Sequence, residues 1–209
     1  ETVTKIDRKA KVVHSRNGQT PYDKLVIATG SAPFIIPVTG KELQGVLAFR
    51  DLDDVDAMVE AAGRSGANAV VIGGGLLGLE AAAALKARGM NVVVLHLMGH
   101  LMERQLDPAA GYLLQRELEG RGIKVHTKAQ TNAILGHKRA EAVLLDDGTI
   151  YPVDLVVMAV GIRPETRIAT DAGLNVERGI VVDDRMLTSD PDILAVGECV
   201  EHARICYGL

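Results

Sequence analysis

The chain has 209 residues, of which 47% are hydrophobic and 24% charged, a globular composition with enough length to bury a real core and unlike that of a disordered segment. Its 23 basic and 27 acidic residues leave a net charge of −4, and without a basic block or an aromatic-rich strand pattern no nucleic-acid binding is expected. No apolar run reaches the roughly 18 residues of a membrane span, and the opening ETVTKIDRKAKVV is not a signal peptide; no membrane association and a cytoplasmic location are therefore expected. The two cysteines, Cys199 and Cys206, form neither a disulfide framework nor a zinc site, and reduced, partly buried thiols are expected. The opening in mid-strand style, with no initiator methionine, suggests an excised piece of a longer protein.

In chain order, strands are predicted at Thr2 to Asp7, Lys11 to His14 and Leu25 to Ala28, with a hairpin turn at Asn17-Gly18. Pro33 and Pro37 then break the pattern and open a linker. Asp51 is a predicted helix cap, with Leu52, Val55, Val59 and Ala62 as the apolar face and Gly63 and Gly66 closing the helix. Ala69 to Ile72 is a continuous β-branched run, as in a strand buried on both faces of a parallel sheet. Leu76 to Arg88 reads as a helix closed by Gly89, and Met90 to Leu95 as the next buried strand.

Between that first buried strand and its helix lies the glycine turn of VVIGGGLLGLE, residues 70–80. Gly73, Gly75 and Gly78 take the G-x-G-x-x-G positions: the first for a sharp turn, the second for close approach of a pyrophosphate to the backbone, the third for helix–strand packing. Leu76 and Leu77 open the helix, whose free N–H groups and positive dipole end face the phosphate. The whole β-α-β unit, about 67 to 98, has the length expected of a nucleotide-binding unit.

Asp107-Pro108 next forms an N-cap and first-turn pair for a helix with Ala110, Leu113, Leu114 and Leu118 at helical spacing up to Gly120. Ile123 to Thr127 is a third parallel strand. From Thr131 to Val153 the period becomes two, with a turn at Asp147-Gly148, as in an antiparallel meander. Leu155 to Val160 is again a continuous apolar strand, ending at Gly161, and Gly179 to Asp183 and Ile193 to Val196 are short strands in the tail.

Four segments in this order resemble the flavin-dependent pyridine nucleotide-disulfide oxidoreductases with two dinucleotide domains: YDKLVIATGSAP at 22–33, VVIGGGLLGLE at 70–80, LVVMAVGIRPE at 155–165 and TSDPDILAVGECVEH at 188–202. HLMGHLMERQLD at 96–107 and VGECVEHARICYGL at 196–209 look like the amino-terminal reductase region of the assimilatory NAD(P)H nitrite reductase large subunit. The resemblance implies an α/β fold: a Rossmann-like NAD(P)-binding domain at 46–161, its parallel sheet carrying the antiparallel β-meander, flanked by residues 1–45 and 162–209 as two parts of an incomplete FAD-binding domain. It also implies that hydride from NAD(P)H passes to FAD, and that electrons go on to a downstream redox domain or protein with an iron–sulfur cluster and sirohaem, where nitrite is reduced. Those later centres lie in regions absent from this chain, since clusters need several cysteines. A fragment of a ferredoxin or rubredoxin reductase, or a non-catalytic NAD(H)-binding sensor, is the alternative. An oligomer is compatible with each.

By the same resemblance Glu80 lies near the nicotinamide and the flavin edge, and Gly161 lets the nicotinamide half lie close to the backbone. A first-turn acid favoured by the helix dipole and a plain strand terminator are their structural alternatives. Thr29, Gly30, Gly197 and Glu198 would meet FAD when the complete domain is present. Glu198 stands where these proteins usually have aspartate, and a surface acid after a tight turn is its alternative.

His96 occupies the position about 20 residues past the glycine turn where an acid serves the NAD ribose or an arginine the NADP 2′-phosphate. Imidazole can serve either coenzyme, so His96, with His100 and Arg104 following, leaves NADH against NADPH open. No metal site is expected from His96 and His100, because the H-x-x-x-H spacing falls on a strand end and loop. No catalytic residue is assigned, there is no redox-active cysteine pair, and isolated activity is expected to be small.

Overall fold

The computed structural model describes residues 1–63 and 66–206; the last three residues of the segment compared at 196–209 lie outside the described residues. The chain divides into two compact units, one of Glu1–Ala32 with the stretch from Ile162 onward, the other Pro33–Gly161. In chain order the first strands are β1 (Val3–Asp7), β2 (Val12–Ser15), β3 (Gly18–Pro21), β4 (Leu25–Ile27) and β5 (Ser31–Pro33). Then follow β6 (Val46–Leu47), α1 (Leu52–Ala62), β7 (Asn68–Ile72), α2 (Leu76–Ala87), β8 (Asn91–His96), α3 (Pro108–Gly120) and β9 (Lys124–Thr127). A meander of β10 (Thr131–Leu135), β11 (Ala142–Leu145) and β12 (Ile150–Pro152) leads to β13 (Leu155–Met158). The chain ends with β14 (Ile162–Pro164), α4 (Arg167–Asp171), β15 (Ile180–Val182), β16 (Ile193–Ala195) and β17 (Val200–His202).

The Pro33–Gly161 unit is built on a parallel five-stranded sheet of order β6-β13-β7-β8-β9. Its central strands are apolar at successive positions because both faces are covered. Ala69, Val71, Val92, Val94, Leu155 and Val157 point to the helical side, where Met58, Ala82, Leu85 and Leu118 complete a core. The alternate residues Val70, Ile72, Leu95, Val156 and Met158 point to the other side, where Ile134, Val143, Leu145 and Val153 of the antiparallel meander and its flanks cover them. A slip of one residue would exchange the two cores, so the strands' register is strongly specified.

Caps set the helix ends. Asp51 and Asp54 form a reciprocal capping box at α1, and Asp107 accepts from the Ala110 N–H at 2.8 Å above Pro108 at α3. The buried face of α1 is Met58 and Ala62, one helical turn apart, whereas Leu52 in the first turn is 79% exposed. Leu113 of α3 is likewise exposed, and Gly111 and Leu118 face inward. Leu52, Val59 and Leu113 thus lie outside the buried faces expected from periodicity, whereas Ala62 and Leu118 lie within them and Leu114 packs against the core.

The first compact boundary falls at 32/33, not at the expected 45/46. Packing is the reason: Ile35, Ile36, Val38 and Leu43 lie against the meander-side core, and the Thr39 carbonyl accepts from the Ile134 N–H at 2.9 Å. At Gly40 a Cβ would stand 2.0 Å from the Ile134 carbonyl oxygen, so only glycine permits this approach. The expected linker is thus part of the second unit.

In the other unit, β1, β2 and β3 form an antiparallel sheet. Its tight turn is Arg16-Asn17, with Ser15 paired to Gly18, one residue earlier than expected. β4 pairs in parallel with β16, and β15 with β17. Ile6, Ile27, Ile180, Ile193, Ala195 and Cys199 are among its buried core residues. Glu201, only 4% exposed, accepts from the Arg178 and Gly179 N–H groups at 2.8 and 3.1 Å, which gives the buried carboxylate its partners. Both cysteines are buried and free, and burial pushes the Cys206 thiol up from its ordinary range, aided by the neighbouring Glu201 charge.

Candidate functional site

β7 lies between β13 on one side and β8 on the other, so the strand order reverses at its edge. Crevices in open α/β sheets form at such a switch, outside the carboxyl ends of the strands. Gly73 turns the chain there with φ +121°. Its N–H donates to the Leu95 carbonyl at 2.8 Å, and an added Cβ would lie 2.2 Å from the Ala159 carbonyl oxygen. The turn is therefore wedged between the ends of β8 and β13.

Gly75 is the N-cap of α2 and has no side-chain cap, which leaves the helix's first N–H groups without the hydrogen bonds such a cap supplies. Space around it is open: a Cβ at Gly75 would find nothing within 4 Å. Gly78 is the opposite case, since a Cβ there would stand 2.0 Å from the Gly73 carbonyl oxygen. Thus Gly75 keeps an approach clear, while Gly78 lets helix and turn close on each other. Leu76 and Leu77 are 67% and 40% exposed beside this opening, and Glu80 is exposed on the next part of the helix. Gly161, with φ +112° and open space at its Cβ position, follows β13 at the same end of the sheet.

His96 ends β8 but turns beneath the glycines, with 6% of its surface exposed. The Gly74 N–H donates to Nδ1 at 3.0 Å. That leaves the proton on Nε2, which donates to Glu103 Oε2 at 3.0 Å. Both ring nitrogens are thus engaged within the protein, and the residue is held between the glycine turn and the loop that carries Glu103.

The loop after β8 is bound to the same turn: Met102 N–H donates to the Gly74 carbonyl at 3.0 Å, and Leu101 is fully buried. A Cβ on Gly74 would lie 2.5 Å from Leu101 Cδ2 and 2.7 Å from His96 Cγ. Sequence reasoning misses Gly74, Met102 and Glu103. The run of three glycines is a signal for Gly74, because the motif leaves its position free; nothing local marks Glu103, seven residues beyond His96. His100 pairs through Nε2 with the Leu106 carbonyl, and among the described residues no group of three His, Cys, Asp or Glu could hold a metal ion.

In the other unit, the parallel pairing of β4 with β16 brings two separated segments together. Thr29 Oγ1 donates to the Glu165 carbonyl at 2.5 Å, and Ser31 Oγ donates to Glu198 Oε2 at 2.7 Å. Gly30 and Gly197 have positive φ and nothing within 4 Å of a Cβ. The four residues expected at FAD thus gather at the carboxyl ends of one strand pair. Cys199 directs its sulfur at the Val196 and Ile27 carbonyls, and two such buried thiols do not fit an iron–sulfur cluster.

A parallel sheet with a glycine turn at its switch point defines a Rossmann-like α/β unit. The pattern of the pyridine nucleotide-disulphide oxidoreductases matches residues 1–207, and the chain belongs to that family. It is 52% identical over 210 residues to the NAD(P)H nitrite reductase of Bacillus subtilis, covering all of this chain and 26% of that protein. It is 44% identical over 210 residues to the assimilatory nitrate reductase electron transfer subunit of the same organism, covering all of this chain and 27% of the relative. A ferredoxin reductase from Rhodopseudomonas palustris superposes with a TM-score of 0.91 at 35% identity, over 96% of this chain and 50% of that one. The chain therefore spans about a quarter of the length of these two curated relatives. Among the described residues no helix is long and apolar enough to cross a membrane.

Proposed function

We propose that the Pro33–Gly161 unit binds NAD(P)H at the glycine turn and that the chain is the electron-input part of a flavin-dependent oxidoreductase. The observation that carries this reading is the open approach at Gly75, next to helix N–H groups that no side chain caps. Gly73 shapes the turn, the amides of Gly75, Leu76 and Leu77 take the pyrophosphate, and Gly78 allows the helix to pack. Gly161 leaves backbone accessible to the nicotinamide half, and Glu80, exposed on α2, serves the same half. Thr29, Gly30, Gly197 and Glu198 hold FAD when a complete flavin domain is present. Bound NAD(P)H supplies a hydride and bound flavin accepts it; the chain's own residues bind and orient the two.

The 52% identity to a nitrite reductase, against 35% to a ferredoxin reductase, favours nitrite-reducing centres as the electrons' destination over a ferredoxin. Iron–sulfur and sirohaem chemistry belongs on that reading to a downstream domain or protein, and a cytoplasmic location goes with it. Calorimetric titration of the chain with NADH and NADPH, without added flavin, tests the coenzyme site. Saturable binding of at least one is expected. Binding of neither by chain that is folded by circular dichroism would overturn the reading.

A further inference from the structure

We propose that Glu103 selects the coenzyme, accepting hydrogen bonds from the adenosine ribose of NADH and repelling the 2′-phosphate of NADPH, with His96 as the residue that positions it. The inference rests on the reading of the glycine turn as a coenzyme site. In dinucleotide folds a carboxylate near the end of the second strand serves the ribose diol. Here that strand, β8, ends in an imidazole with both nitrogens committed inside the protein. The next group in the chain of hydrogen bonds is a carboxylate: Glu103 Oε2 at 3.0 Å from His96 Nε2. The carboxylate therefore stands on the loop and not at the strand end, and the imidazole spans the gap.

Three features make Glu103 a defined group and not a passing surface acid. His96 is itself anchored to the turn through Gly74. The backbone of the preceding residue, Met102, donates to the Gly74 carbonyl at 3.0 Å, so the loop is fixed to the same glycine. Glu103 remains 29% exposed at its side chain, so the residue that Oε2 ties to His96 is not closed off from solvent. A negative charge so placed accepts from two ribose hydroxyls and disfavours a dianionic 2′-phosphate. The exposed neighbour Arg104 is the rival determinant and would act in the opposite direction.

Calorimetry of the full chain with NADH and NADPH, before and after Glu103→Gln, tests the assignment. The wild-type chain is expected to bind NADH about tenfold or more tightly than NADPH, and the substitution to reduce that ratio about tenfold, mainly by weakening NADH. The glutamine side chain keeps an acceptor oxygen for His96 Nε2–H, so the loop should stay in place. Adding His96→Glu to Glu103→Gln returns a carboxylate to the strand end and should restore preference for NADH. Equal weakening of both coenzymes by Glu103→Gln would show a structural clamp only and overturn selection by Glu103. A wild-type preference for NADPH that Arg104→Ala abolishes would overturn it too. A wild-type chain that binds neither coenzyme would overturn the coenzyme site itself, and the proposal with it.

Discussion

Replacing Gly75 by alanine should separate coenzyme binding from folding. Gly75 has φ −86° and ψ −176°, extended backbone that alanine adopts, and its added Cβ meets nothing within 4 Å. Glycine is the better N-cap by about 0.5–1 kcal/mol, but alanine reduces the freedom of the unfolded chain by about 0.4–1 kcal/mol. The two effects nearly cancel, so stability should change by no more than about 0.5 kcal/mol. The methyl nevertheless fills the approach to the helix N–H groups. Loss of one hydrogen bond to a charged phosphate costs about 1.5–3 kcal/mol, a fall in affinity of roughly 10- to 100-fold. Urea unfolding and calorimetry with NADH, run on the same preparations, measure both quantities. Wild-type affinity in Gly75→Ala would refute the claim that phosphate approaches the backbone there.

Gly78→Ala should behave in the opposite way, losing about 3 kcal/mol of stability as the new Cβ, 2.0 Å from the Gly73 carbonyl oxygen, forces helix and turn apart; a wild-type urea midpoint would contradict this. Glu201→Ala should cost about 2–4 kcal/mol, because the Arg178 and Gly179 N–H groups lose their acceptor in a buried site. Glu201→Gln, which keeps an acceptor oxygen, should cost less, and equal urea midpoints for the two variants would sink the assignment. Hydrogen bonds from Lys11 and Lys24 hold the Asp192 carboxyl down from 3.8 to about 2. Because the folded value is the lower one, the pair's stabilisation is present above about pH 4 and is lost as pH falls through about 2. The urea midpoints of wild type and Asp192→Asn should therefore converge over that interval, and parallel profiles would show that Asp192 does not contribute.

The β7-α2-β8 unit is legible in sequence because each of its parts carries a strong local signal: a run of β-branched residues, a glycine turn, an uninterrupted helix and a closing glycine. Asp107-Pro108 and Asp147-Gly148 are equally readable, as cap and turn chemistry depends on few residues. Two-residue β6 and the exposed GQTP of β3 have no periodicity to detect, so both are defined by their partners alone. Residues 33–45 resemble a linker because prolines interrupt them; their attachment depends on the approach of Gly40 to Ile134, more than 90 residues away in sequence. At the site, the motif glycines are evident from their spacing. The true arrangement of His96 is not, because the partners on its two ring nitrogens, Gly74 and Glu103, come from different loops.

Backbone amide chemical shifts of the labelled chain, followed as NADH is added, report directly on whether coenzyme sits at the glycine turn. Saturable shifts are expected at Gly73 to Leu79, at the carboxyl ends of the strands. A cleft of about 420 Å³ lies at the opposite end of the sheet, with Asn68, Asn91, Lys124 and Tyr151 in its lining. Shifts confined to that cleft, or none at the glycine turn, would rule out a coenzyme site there.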